Sequence, residues 1–107
     1  MLDDVTEQRR RAILAEIDSL GLVLPGCIIE RTTRCQTPGC RCRANPPQLH
    51  GPYRTWTHRE RGHQVARTIS VQDAAKLQPL IEANRRLHQL VRELEELSVG
   101  AVQQLLG

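Results

Sequence analysis

The chain has 107 residues, a net charge of +3 and 2% aromatic content, with Tyr53 and Trp56 its aromatic residues and no phenylalanine. That length bounds it to one domain with a modest aliphatic core, and domains of this size often need a metal or a partner chain to reach useful stability. No apolar run approaches the ~20 residues of a membrane span, and the opening Met1-Leu2-Asp3-Asp4 carries no apolar signal segment. A cytoplasmic protein with reduced cysteines is therefore expected.

The elements read in order as an α+β fold within a single domain, 1–107. An N-terminal helix occupies 1–21, a Cys-rich three-stranded antiparallel sheet 22–69, and a long kinked helix 70–107. Asp4 is placed to cap the first helix with Glu7 as the reciprocal residue of a capping box. Ile13, Ile17 and Leu20 then form a narrow apolar stripe over about residues 5–20. Arg9-Arg10-Arg11 points in different directions on a helix and reads as solvated surface. Cys27 to Arg34 is rich in β-branched residues and reads as a first strand. Tyr53–His58 and His63–Ile69 read as a hairpin around a four-residue loop, Arg59-Glu60-Arg61-Gly62. Alternation puts Tyr53, Thr55 and Thr57 on one face and Arg54, Trp56 and His58 on the other. One face should pack on helix, leaving the other free for a ligand. Trp56 reads as the large residue that fills the core.

Ser70, with Asp73 three residues on, caps the last helix. Pro79 predicts a kink or a restart near residue 78. Leu80, Leu87 and Leu94 recur every seven residues, widened by Ile81, Leu90, Val91 and Leu97 and interrupted by Asn84, as in a core-facing or coiled-coil seam. Val99-Gly100 is expected to end the helix and Ala101 to Leu106 to fray.

The chemistry concentrates between residues 35 and 50. Cys35, Cys40 and Cys42 are spaced C-x4-C-x-C, and His50 follows eight residues later. Thr37-Pro38-Gly39 is turn chemistry that folds Cys40 and Cys42 back beside Cys35. In extended backbone, Cys40 and Cys42 would aim their sulfurs the same way. A tetrahedral Cys3His structural zinc site on Cys35, Cys40, Cys42 and His50 is the leading reading. Free thiols, a Cys35–Cys40 disulfide, and a fourth ligand drawn from His58, His63 or Cys27 are the alternatives. Cys27 would stand about 26 Å from Cys35 if 27–35 is one strand, at about 3.3 Å per residue.

The charge is as localised as the cysteines. Residues 30–67 carry Arg31, Arg34, Arg41, Arg43, Arg54, Arg59, Arg61 and Arg67 against Glu30 and Glu60, while the segments on either side are net negative. Guanidinium forks suit phosphates and guanine edges. These eight arginines beside a metal knuckle are the expected nucleic-acid-binding residues, with double-stranded DNA the first partner to consider. The alternative is a helical dimerisation or protein-interaction module, accessory to a larger complex, with a homodimer formed through residues 80–97. An enzyme is not expected. His58-Arg59-Glu60 follows the cysteines here, whereas in zinc deaminases H-x-E precedes P-C-x-x-C, and no phosphate loop, nucleophile elbow or paired catalytic carboxylates are present.

At Leu24-Pro25-Gly26, Cys35-x4-Cys40-x-Cys42 and His50-Gly51-Pro52-Tyr53, over about residues 22–97, the sequence resembles a family of small bacterial proteins classed as a domain of unknown function. The resemblance implies the same order of turn, cysteine knuckle, hairpin and long charged helix, and genes that neighbour mobile elements. The resemblance also implies a serine in place of Cys27 in many relatives, which fits its exclusion from the metal set. The family brings no assigned activity.

Overall fold

The computed structural model describes residues 2–106. Its elements are α1 (Asp4–Ser19), β1 (Cys27–Thr33), β2 (His50–Glu60), β3 (His63–Ile69) and α2 (Val71–Leu105), with a 3-10 turn at Arg41–Arg43. This is the expected α+β order: helix, three-stranded antiparallel sheet, long helix. The described residues fall into two compact units. One joins the segment through Leu24 to the chain from Leu80 onward, and the other is Pro25–Pro79.

In the helical unit the cap lies one residue earlier than the sequence reading placed it. Asp3 keeps extended backbone and its carboxylate accepts the Thr6 N–H at 2.7 Å, while Asp4 is already helical. Glu7 therefore falls beyond the reciprocal position of a capping box. Its carboxylate instead takes Arg10 at 2.6 Å and Arg11 at 3.1 Å. The Asp3 N–H, which a box glutamate would have received, donates to Gln104 Oε1 at 2.8 Å, and Gln104 Nε2 donates to Thr6 Oγ1 at 3.2 Å.

Those contacts overturn the frayed tail. Helix α2 continues to Leu105, and Ala101 is 4% exposed. Gly100 costs only about 1 kcal/mol of helix propensity, which the burial of Ala101 and the hydrogen bonds of Gln104 to Asp3 and Thr6 offset. Arg86 pairs with Glu16 (Nη2 to Oε1, 2.9 Å), Arg9 with Glu93 at 3.5 Å, and Leu24 N–H donates to Leu80 O at 3.0 Å. These pairings run α1 antiparallel to the second part of α2. Ile13, Ile81 and Leu90, each 1% exposed, form the centre of this unit. The helix carries Pro79 inside one continuous span and does not restart. No helix among the described residues is long and apolar enough to cross a membrane.

In the second unit β2 is the central strand, antiparallel to both neighbours. The hairpin loop is shorter than four residues. Glu60 pairs with His63, leaving Arg61 (φ 51°) and Gly62 (φ 84°) as a two-residue turn. Two consecutive positive φ angles are the type I′ geometry that matches strand twist, so pairing extends two residues further along β2 than the composition suggested. Ser70 Oγ then accepts the Asp73 N–H at 3.0 Å, capping α2 as expected.

Cross-strand partners share a face, so the register assigns the sheet's two sides. Ile28, Glu30, Arg54, Trp56, His58, Glu60, His63, Val65, Arg67 and Ile69 lie on one side; Ile29, Arg31, Tyr53, Thr55, Thr57, Arg59, Gln64, Ala66 and Thr68 lie on the other. The first side holds the packing. Trp56 and His58 stack with centroids 3.8 Å apart, and Trp56 Nε1 donates to Pro25 O at 3.0 Å. Trp56 is half-buried rather than enclosed, while His58 is 7% exposed. The first turns of α2 close a cavity of about 190 Å³ on this side, between Asp73, Lys76 and Leu77 of the helix and Trp56, Arg67 and Ile69 of the sheet.

Candidate metal centre

The knuckle hangs between β1 and β2. Cys40 N–H reaches Thr37 O at 3.4 Å across the Pro38-Gly39 turn, which folds the chain back as its composition predicts. The next step departs from expectation. Cys40 and Cys42 do not lie in extended backbone; Arg41–Arg43 is a 3-10 turn, closed by Arg43 N–H to Cys40 O at 2.9 Å and Ala44 N–H to Arg41 O at 3.1 Å. Gln48 N–H donates to Arg41 O at 2.9 Å and returns the chain toward His50. The peptide bonds before Pro46 and Pro52 are cis.

His50 is aimed by a β-bulge. Arg31 faces Tyr53 and Thr33 faces His50, so the ladder slips by one residue at Gly51-Pro52. A bulge redirects side chains beyond it. Strict alternation would give His50 the side of Trp56; pairing with Thr33 gives it the side of Arg31. Gly51 makes the slip sterically feasible. Its φ is 108°, and a Cβ there would sit 2.8 Å from Tyr53 N and 3.0 Å from Arg31 O.

The outcome is a cluster in which one ligand atom each from Cys35, Cys40, Cys42 and His50 lies within 4.8 Å of the others. Cys35 and Cys42 sulfurs are 3.6 Å apart, and Cys40 Sγ is 3.2 Å from His50 Nε2. A tetrahedral ion with ~2.3 Å bonds to sulfur and ~2.0–2.1 Å bonds to nitrogen has S···S edges of about 3.8 Å and S···N edges of about 3.6 Å. The donor set and both edges fit such an ion. All four cysteines are free thiols, and 3.6 Å is far beyond the ~2.05 Å of a disulfide. Cys42 is fully buried and accepts the Cys35 N–H at 3.3 Å.

The thiols are electrostatically unequal before any ion binds. A backbone hydrogen bond from Thr37, with contacts from Cys40 and His50, lowers Cys35 to about 6 despite partial burial. For Cys42, the hydrogen bond from Cys35 N–H favours the thiolate, but burial and the neighbouring thiols outweigh it and hold the pKa up. One thiol thus loses its proton readily and anchors the set, the state in which sulfur ligates metal.

The alternative fourth ligands stand elsewhere. Cys27 Sγ lies 3.5 Å from Thr57 Oγ1, His58 stacks on Trp56, and His63 pairs across the hairpin with Glu60. The eight arginines do not share one surface. Arg31 and Arg59 are on the sheet side opposite Arg54 and Arg67. Arg54 is 3.3 Å from Glu30, and Arg43 donates to Cys35 O at 2.7 and 3.1 Å, bracing the knuckle from within. Arg34, Arg41 and Arg61 are exposed on the knuckle and the hairpin turn. The sequence reading missed the bracing role of Arg43 and the placement of Gln64 opposite Arg59 and of Thr68 opposite Thr55; a glycine and a proline inside a strand were the available sign of the bulge.

No curated protein and no solved structure matches the chain. A family model described as a domain of unknown function (DUF6788) matches residues 3–79, a stretch that begins earlier and ends earlier than the resemblance had suggested and that holds α1, the whole sheet and all four clustered ligands. The chain is therefore a member of this domain-of-unknown-function family.

Proposed function

We propose that this protein is a small zinc-stabilised nucleic-acid-binding module whose first partner is double-stranded DNA. The observation that carries the reading is the convergence of Cys35, Cys40, Cys42 and His50 inside the most arginine-rich stretch of the chain. Four protein donors complete a tetrahedral shell and leave no position for a reacting water, so the ion's role is structural. It holds a loop that could not otherwise be packed by so few apolar residues, and it fixes Arg34 and Arg41 on a rigid support. A binding role without catalysis, in the reducing cytoplasm where thiols stay available to metal, completes the reading.

The test is fluorescence anisotropy with a labelled random-sequence 20-bp duplex, on protein loaded with one equivalent of zinc. If four to five arginines neutralise phosphates, the slope of log K against log salt is about −4. Absence of a complex at low salt would refute the reading.

A second reading is self-association through the helical unit. Val91 (39% exposed), Val102 (42%) and Leu105 (57%) leave apolar surface on α2 that α1 does not cover. A pair of antiparallel helices commonly completes its core by pairing with a second copy as a four-helix bundle. Sedimentation across a concentration range decides it: a monomer throughout removes the reading, and a dimer lost on Leu105→Glu supports it.

A further inference from the structure

Resting on the nucleic-acid reading above, we infer that the open side of the sheet, bearing Arg31, Arg59, Gln64, Ala66 and Thr68, enters the major groove of duplex DNA and favours A·T base pairs. The first ground is charge. Both carboxylates of the arginine-rich segment, Glu30 and Glu60, are on the opposite side with Trp56, as fixed by the strand register. On that opposite side Arg54 is already paired with Glu30, and α2 approaches Arg67. The open side holds two arginines and no carboxylate, and among the described residues neither Arg31 nor Arg59 has a carboxylate partner. A face whose charge is uncompensated is complementary to phosphate.

The second ground is exposure. Arg31, Arg59, Gln64, Ala66 and Thr68 are all exposed, with Ile29 at 45% and Tyr53 at 44%. Thr55, in the middle, is 6% exposed and is enclosed by its neighbours, so it is not a reading residue.

The third ground is size and side-chain type. Arg31 pairs with Tyr53, six residues along β2 from Arg59, which separates the two arginines by about 20 Å, or about six base pairs at ~3.4 Å each. The outer strands lie about 10 Å apart, against a major groove about 12 Å wide. Between the arginines, Gln64 stands opposite Arg59, with Ala66 and Thr68 following on the same strand. Glutamine makes a paired contact to adenine N6 and N7, and the methyl groups of alanine and threonine fit the thymine methyl. Duplex RNA offers no equivalent surface, because its major groove is too deep and narrow for side chains to read.

The test compares zinc-loaded wild type with three variants on labelled 20-bp duplexes: random-sequence DNA, dA·dT DNA, dG·dC DNA and random-sequence RNA. Circular dichroism melts establish that each variant is folded. Arg31→Ala/Arg59→Ala should weaken binding to random DNA tenfold or more and reduce the salt slope by about 2. Arg67→Ala, on the opposite side, should stay within about threefold. Gln64→Ala should lose about tenfold of the preference for dA·dT over dG·dC, through weaker binding to the dA·dT duplex. Equal losses from Arg67→Ala, unchanged binding by the double variant, no dA·dT preference in the wild type, or tighter binding to RNA than to DNA would each overturn the assignment. Wild-type protein that binds none of the duplexes would instead remove the nucleic-acid reading itself.

Discussion

Replacing Cys42 by serine tests the metal centre at its most buried ligand. Cys42 is fully enclosed, accepts the Cys35 N–H at 3.3 Å and places its sulfur 3.6 Å from Cys35 Sγ. An ion there ties Cys35 to His50, closing a loop of about 15 residues, and a cross-link over that length is worth about 3 kcal/mol through the unfolded chain alone. For a domain of this size each 1 kcal/mol shifts Tm by about 4–8 °C. Loss of the tie should therefore lower the melting temperature by about 12–24 °C, with more lost if the ligands' own binding energy is included. The assay is elemental analysis of protein purified under reducing conditions, followed by thermal melts with and without a chelator. Wild type should hold one zinc per chain and fall on chelation; Cys42→Ser should hold less and no longer respond. Cys27→Ser is the matched control, because Cys27 sits beside Thr57 and outside the cluster. A Cys42→Ser protein that keeps one equivalent, or a wild-type melt indifferent to chelator, would refute the argument.

Leu90→Ala should destabilise the helical unit by about 2–5 kcal/mol in urea unfolding, because Leu90 is 1% exposed, whereas Val99→Ala at 73% exposure should change stability by less than about 0.5 kcal/mol. Arg61→Asn should raise stability by roughly 0.5–1 kcal/mol, since φ of 51° strains an arginine and suits the Asn-Gly pair of a type I′ turn. Glu7 is held to about 2 by hydrogen bonds from Arg10 and Arg11, and Asp3 and Glu16 are lowered in the same direction by Thr6 and Arg86. A depressed carboxylate stabilises the fold above its unfolded value and loses that contribution as pH falls through the folded one. Helical melts should thus weaken between about pH 4.5 and about pH 2, and Glu7→Gln should flatten that dependence.

What the chain declared by itself was local. The order of helix, strands and helix follows from apolar spacing and β-branched runs, and Cys35, Cys40, Cys42 and His50 were legible as a ligand set because donor type and a Pro-Gly turn are written within sixteen consecutive residues. Ser70 as a cap was legible for the same reason, since its acceptor and its donor are three residues apart. What needed tertiary structure was every choice that depends on a distant partner. Asp3 rather than Asp4 caps α1, and the segment after Gly100 stays helical, because Gln104 meets the cap from the far end of the chain. Strand alternation could sort residues into two sets, but only pairing with β1 and β3 decided which residues of the three strands share a side, and only the approach of α2 decided which side packs. The bulge at Gly51-Pro52 shows why: one slipped residue reverses the side on which His50 emerges, and a slip is a property of two strands, not of one.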